Sequence, residues 1–377
     1  MTSTDTEEGN PPATLPPRRE SARARLGRGI GRIGFAGVIA VLLLSSIVGA
    51  AVFPIPYVAL RPGSVRPVTE QVLVEGAASF PPDESIAYTT VSIGGITLLE
   101  AVAAWLDDDV DVLPEDRVRG GRSAEENRRY NAQLMDTSKL VAITVALEHL
   151  GYEVPIRTTG AVVREIVPGT PAEAVLQPDD VIVAVDGEVV DELGEIGALL
   201  QPGGPGAQHE LIVERPPAGP SVKQLTINTV AAEDDPARAV IGIAPEDRIA
   251  EFDFPIQVTI DSGNVGGPSA GLAFTLAILD VLTAGELTGG HRVAVTGTIA
   301  LDGTVGPVGG AAQKAITVRN AGYEVFLVPS DELEDVRAAV GDGLRVLAVD
   351  TLAEALDALD SLGGNAGSLA AGDSGDR

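Results

Sequence analysis

The sequence contains no cysteine, only three lysines and three histidines, and few aromatic residues, 3% of the total. Without cysteine there is no disulfide framework, no thiolate nucleophile and no Cys-type zinc or iron–sulfur site. With so few rings, the cores have to be built from Ala, Val, Leu and Ile. Basic residues are also in deficit: 26 Lys and Arg face 54 Asp and Glu, a formal net charge of −28. That balance argues against nucleic acid as a partner, because phosphate binding needs an excess of Lys and Arg. What the chain does have is an ordinary globular share of apolar residues, 45% of 377. Disorder throughout is therefore excluded, and the length suits two or three domains.

The charge is unevenly placed. Between Arg18 and Arg32 stand six arginines and one acid, Glu20, whereas Ile33 to Leu60 carries no charge and is almost purely apolar as far as Phe53. A helix needs about 20 apolar residues to cross a hydrocarbon core. The pattern predicts a transmembrane anchor over 33–56, stopped by Pro54 and Pro56. The arginine flank orients it with the N-terminus cytoplasmic and everything after the anchor extracytoplasmic, a single-pass protein of the cell membrane. Residues 1–32 then form a cytoplasmic tail, expected to be disordered. The alternative is a cleaved signal peptide, whose apolar region should be about 7–15 residues and end at a small-residue site. Here the region is longer, and Gly49-Ala50-Ala51 runs on into further apolar residues. Gly29 to Gly34 spells GxGxxG, but it precedes an apolar span rather than following a strand, so it is no dinucleotide fingerprint.

The rest reads as an α+β multidomain chain. A small α+β region is expected over 61–155, with helices near Thr97–Leu106 and Lys139–Leu150 and no residue pattern that spells chemistry. Asp107-Asp108-Asp109 lacks the Gly and terminal Glu of a calcium loop and reads as a solvated turn. A second unit spans 156–230. It runs strand, Pro168-Gly169-Thr170-Pro171 turn, short helix, strand and Asp186-Gly187 turn, then a further helix and two closing strands. This succession resembles a PDZ domain of the bacterial protease-associated kind. Such a domain binds an extended peptide by strand addition. The resemblance implies that Thr159, Gly160, Ala161 and Val162 form the peptide-binding loop and strand; the plainer alternative gives Gly160 only a turn. Pro178-Asp179-Asp180 replaces the commoner Pro-Gly-Asp.

The stretch 239–362 carries the candidate chemistry. Pro268-Ser269-Ala270-Gly271 opens a long apolar helix, and first-turn N–H groups beside a serine can stabilise an oxyanion. The serine needs a base. His291 sits in a polar loop, whereas Lys314 lies on an apolar helix, where burial would lower its pKa toward neutrality. From the residues alone, Ser269 as a helix cap and Lys314 as a snorkelling lysine remain the more ordinary reading. The histidines are far apart and His209-Glu210 has no second His at 213, so no metal site is expected.

The motif GGPSAG around Ser269, the stretch TGTIALDGTVGPVGG from Thr296 to Gly310, and Lys314 four residues later resemble the Lon-type serine–lysine protease domain, of mixed α/β fold. With the PDZ unit and the anchor, the whole chain resembles membrane-anchored PDZ-containing Lon-like proteases of bacteria. The resemblance implies Ser269 as nucleophile, Lys314 as general base and Thr296 orienting the lysine. It places the oxyanion hole in backbone N–H groups of Gly267 and Ser269. It implies protein or peptide substrates, no cofactor and a ring-shaped homo-oligomer of unfixed number. Many Lon enzymes carry an acid three residues before the serine; here that position is Gly266. No GxxxxGK[ST] phosphate loop occurs in the sequence, so the activity implied is ATP-independent. The alternative from another class is a non-catalytic, membrane-anchored PDZ scaffold that binds exposed C-termini. A disordered tail is expected over 363–377.

Overall fold

The computed structural model describes residues 23–80, 85–215 and 221–366, with α1 side chains from Gly37 onward. The chain divides into two compact units, one of residues 1–59 with 93–118 and one of 60–92 with 119–377. From the N-terminus it forms α1 (Arg23–Val52), β1 (Pro54–Pro67), β2 (Val72–Glu75), β3 (Ile86–Thr97), α2 (Leu98–Ala104), β4 (Asp111–Pro114), α3 (Glu115–Arg119) and α4 (Ala124–His149).

In the first unit, α1 covers residues 33–52 of the stretch expected to be an anchor but starts ten residues earlier, within the part expected to be a disordered tail, and it ends just before Pro54. Among the described residues no helix is long and apolar enough to cross a membrane. A reciprocal capping box between Thr97 and Glu100 starts α2. Asp107 to Asp109 form an exposed turn in which the Asp109 N–H donates to the Asp107 carboxylate at 3.1 Å.

The second unit continues with β5 (Ile156–Ile166), α5 (Ala172–Val175), β6 (Val181–Val185), β7 (Glu188–Val189), α6 (Leu193–Leu199), β8 (Gln208–Arg215), β9 (Ser221–Asn228), β10 (Val230–Ala231), β11 (Ala239–Val240) and β12 (Ile243–Phe252). These build an antiparallel sheet in the order β12-β5-β6-β8-β9 over a core of Ala161, Val163, Ile182, Leu211, Val213 and neighbours. The sheet thus runs on to Phe252, past the boundary expected at 230. The reason is that β12 folds back to pair with β5 along its whole length.

The remaining elements are β13 (Gln257–Ile260), α7 (Gly271–Leu282), β14 (Val293–Val295), β15 (Thr298–Ile299), β16 (Val305–Gly306), α8 (Ala311–Asn320), β17 (Val325–Val328), α9 (Leu333–Val340), β18 (Arg345–Ala348) and α10 (Leu352–Asp360). Strands β18, β17, β14, β3 and β1 follow one another in one sheet. The region 61–155 is therefore not a separate small domain. Ile86 of β3 pairs in parallel with Val293 of β14, β2 pairs with β13, and α4 packs on α7. Short apolar strands of this kind cannot bury both faces alone, and a shared sheet solves that. Alternation divides their side chains between two cores. Ile86, Tyr88, Val293, Val295 and Leu327 face α7 and α4, while Ala87, Ala294 and Phe326 face α8 and α9. Tyr88 meets Phe274 of α7 edge to face at 5.6 Å. Of the tail expected from Gly363, the four described residues, 363–366, are packed on the body. Ala366 is buried in the main core, and the Asn365 amide donates to the Ala284 carbonyl at 2.6 Å. Residues 1–22 and 367–377 lie outside the described residues.

Asp180 is fully buried and accepts two hydrogen bonds from the Arg215 guanidinium, at 2.6 and 2.5 Å, and one from the Gln177 N–H at 2.8 Å. Removing one partner of such a pair leaves an uncompensated buried charge and costs about 3–5 kcal/mol. Arg215→Ala is therefore expected to accelerate amide hydrogen exchange along β6 and β8 while leaving α7 unchanged.

Candidate active site

Three residues far apart in sequence meet at the C-terminal end of β14. Thr296 follows the last residue of that strand and is fully buried. Its hydroxyl donates to the Ser269 carbonyl at 3.1 Å and accepts a hydrogen bond from the Lys314 amine at 3.0 Å. Ser269 precedes α7 on one face of the sheet, and Lys314 projects from α8 on the other face. The Gly297 N–H also donates to the Ser269 carbonyl, at 3.0 Å, and the Leu272 N–H donates to Gly297 at 3.2 Å. The Ser269 segment is thus stitched to the segment carrying Thr296. Among the described residues no hydrogen bond joins the Ser269 hydroxyl to Lys314; the link runs through Thr296.

Lys314 is 2% exposed. Burial drives its pKa down from 10.5 to about 7, with Glu332 nearby partly opposing the shift. A charged amine in this setting loses its hydration, so the neutral form is favoured. Near neutral pH a substantial fraction of Lys314 is therefore a free base. Glu332 itself accepts from the Val308 N–H at 3.1 Å. His291 pairs instead with Glu324 at 2.5 Å at the surface.

The helix after Ser269 begins at Gly271, two residues later than the sequence suggested. Of the two backbone groups expected to form the oxyanion hole, the Gly267 N–H is occupied: it donates to the Asn131 carbonyl at 2.8 Å. The Ser269 N–H has no partner among the described residues, and neither does that of Ala270. The Ser138 hydroxyl, also on α4, donates to the Pro268 carbonyl at 3.1 Å. Both braces come from a region whose sequence carried no catalytic signal; Ser138 is, with Thr144, one of two polar residues on an otherwise apolar buried face. Gly266 also faces α4, where an added Cβ would lie 3.0 Å from that of Asn131. A side chain at that position would require Asn131 to give by a few tenths of an ångström.

The PDZ-like positions take different places from those expected. Ala161 pairs with Ile182 on one side and Asp247 on the other, and Val162 with Val181 and Glu246. Both edges of β5 are thus occupied, so Thr159 to Val162 cannot accept an added strand. The Thr159 carbonyl accepts from Arg248 at 2.6 Å. Gly160, at φ +88°, lies so close to β6 that a Cβ would sit 2.7 Å from the Ile182 carbonyl oxygen. The free edge belongs to β12, which packs beside α6. A separate cavity of 480 Å³ is lined by Gly197, Ala198 and Gln201 at α6 and by Arg238, Ala239 and Val240 at β11, among others, and by no residue of β12. Among the described residues no cluster of side chains could hold a metal ion.

Comparison with known proteins finds matches for two parts of the chain, and β12, which completes the sheet of β5, falls within the second of them. Residues 243–360 match the Lon protease (S16) C-terminal proteolytic domain, and residues 162–215 match the PDZ domain. Lon protease 1 of Sorangium cellulosum is 36% identical over 121 residues, 31% of this chain and 14% of that protein. Lon protease 2 of Bacillus subtilis is 31% identical over 117 residues, 31% of this chain and 20% of that protein. The chain thus spans a fifth or less of the length of these relatives. Among solved structures, the PDZ domain of the SdrC-like protein from Listeria monocytogenes is similar at 22% identity with a TM-score of 0.21, over 23% of this chain and 86% of that one. The buried lysine, its threonine and the serine before α7 thus lie within or beside matched segments, and the chain carries a Lon-type serine protease domain together with a PDZ domain.

Proposed function

We propose that the chain is an ATP-independent, membrane-tethered endopeptidase that cleaves extracytoplasmic proteins or peptides with Ser269 as nucleophile and Lys314 as base. The observation that carries this reading is the buried amine of Lys314, hydrogen-bonded to the threonine that holds Ser269. The Ser269 hydroxyl attacks the scissile carbonyl, and its proton passes to the neutral Lys314 amine. The resulting oxyanion is met by the unpartnered N–H groups of Ser269 and Ala270. Lys314, now an ammonium, donates its proton to the departing amine, and water hydrolyses the acyl-enzyme by the same route. The free edge of β12 beside α6 supports a second element of the reading, a groove where an extended peptide adds as a strand. The uncharged run before Leu60 and its arginine flank support the tether. The resemblance to Lon-type domains supports a homo-oligomeric ring.

Ser269→Ala and Lys314→Ala are expected to lower cleavage of unfolded casein by about 10³-fold or more with circular dichroism unchanged; wild-type rates in either variant refute the dyad. Cleavage should rise with pH around a midpoint near 7, because only the neutral amine takes a proton. Thr296→Val should slow turnover sharply and move that midpoint, while Thr296→Ser retains both. Burial of Lys314 also penalises folding. The unfolded chain holds that proton up to about pH 10.5, whereas the folded one releases it near 7. The penalty is therefore full below pH 7, fades between 7 and 10.5, and is several kcal/mol at its largest. Lys314→Met is expected to be inactive yet to melt at higher temperature than the parent at pH 6, with the gap closing toward pH 10.

A further inference from the structure

Large hydrophobic side chains are exposed unevenly. Of twenty-five such residues among those described, eleven lie between Val38 and Tyr57 and six between Ile93 and Leu106, all in the first unit. The second group is unusual for its density. Leu98, Leu99 and Val102 of α2 are about half exposed, and Trp105 and Leu106, directly after it, are 86% and 85% exposed. Their spacing of three and four residues gathers them into one stripe, with Ala104 buried away from it. A surface facing only water rarely carries such a contiguous apolar stripe.

The position of the stripe indicates what covers it. The Val68 N–H donates to the Ile86 carbonyl, and the Ser64 N–H to the Thr90 hydroxyl, so β1 and β3 run antiparallel. Following that ladder outward brings Thr97, the cap of α2, beside the first residues of β1. Those residues directly follow α1, and α2 packs against α1. The stripe is therefore continuous with the exposed apolar side chains of α1 and lies at its C-terminal end. If α1 is the anchor, that end is the bilayer surface. Tryptophan favours this zone because its ring is apolar and its N–H stays hydrated. Of the acids that follow, Asp107 and Asp108 are exposed and Asp109 is half-buried. With a net charge of −28, attachment here depends on apolar burial rather than attraction to anionic lipid.

We propose that α2 with Trp105 and Leu106 is a second membrane contact, a short helix lying in the boundary between lipid headgroups and acyl chains beside α1. It rests on the reading of α1 as an anchor and adds a second attachment to it.

Trp105 is the only tryptophan of the chain, so intrinsic fluorescence reports on this site alone. In the full chain reconstituted into phosphatidylcholine vesicles, its emission should be blue-shifted and protected from iodide. Phosphatidylcholine brominated near the glycerol end of its chains should quench it more than lipid brominated at mid-chain. The double variant Leu99→Ser with Leu106→Ser should lose the bromolipid quenching, still float with the vesicles and still cleave casein at the parent rate. Flotation with vesicles combined with full iodide quenching and none by bromolipid leaves the anchor standing and overturns the second contact. A blue shift without bromolipid quenching means that protein covers the stripe, and overturns it equally. Failure of the chain to float with vesicles removes the anchor, and the second contact with it.

Discussion

The site depends on one unfavourable burial. An amine that would be strongly hydrated at the surface is held where water hardly reaches, against the hydroxyl of Thr296. Everything around it serves to keep it there. Gly310 caps the start of α8, and its left-handed φ of +68° turns the chain sharply into the helix. The sheet below is packed on both faces, so α7 and α8 cannot drift from it. Because the two helices lie on opposite faces, only the end of a strand between them offers a place where their residues can meet. Thr296 occupies that place. A single hydroxyl that both accepts and donates couples the amine to the backbone of Ser269, which fixes the two relative to each other without a direct bond.

The segment bearing the serine is held as firmly from the other side. Helix α4 supplies a carbonyl to Gly267 and a hydroxyl to Pro268. It also approaches Gly266 and Gly271 closely; an added Cβ on Gly271 would come within 2.9 Å of the Ser138 hydroxyl and the Ile299 side chain. The small residues of the serine motif therefore answer to α4 as much as to the catalytic turn. This explains why the strands before α4 belong to the protease sheet. The helix has to be anchored in the same body as the loop it braces.

What the sequence revealed about this arrangement followed from how locally each feature is encoded. The helix of Ser269, the apolar setting of Lys314 and the proline after α1 are all legible within a few residues. The PDZ succession was legible for the same reason, through its Pro-Gly and Asp-Gly turns. Asp179, standing where glycine is common, adopts the left-handed φ of +68° that the turn requires. Strand pairing over long separations was not legible. Nothing near Ile156 announces that Phe252 will lie beside it, and so the binding edge was placed on β5 when β12 covers it. Ile86 and Val293 likewise pair across more than half the chain. Asn131 acts through its backbone carbonyl, a contribution that any residue type could make and no sequence pattern can mark.

That long-range pairing of β5 with β12 has a topological consequence. Ile156 opens the PDZ sheet and Phe252 closes it as its direct ladder partner, and just outside them the Asp253 N–H donates to the Pro155 carbonyl at 3.0 Å. The chain leaves the protease body and returns to it at nearly the same point. For the protease, a whole inserted domain then takes the place of a tight surface turn, with its ends already joined by the insert's own hydrogen bonds. Closing a loop that long would otherwise carry an entropic cost that grows with its length. Here the insert bears that cost within its own folding, so a PDZ domain and a Lon-type domain can reside in one chain without loosening the sheet that holds the lysine.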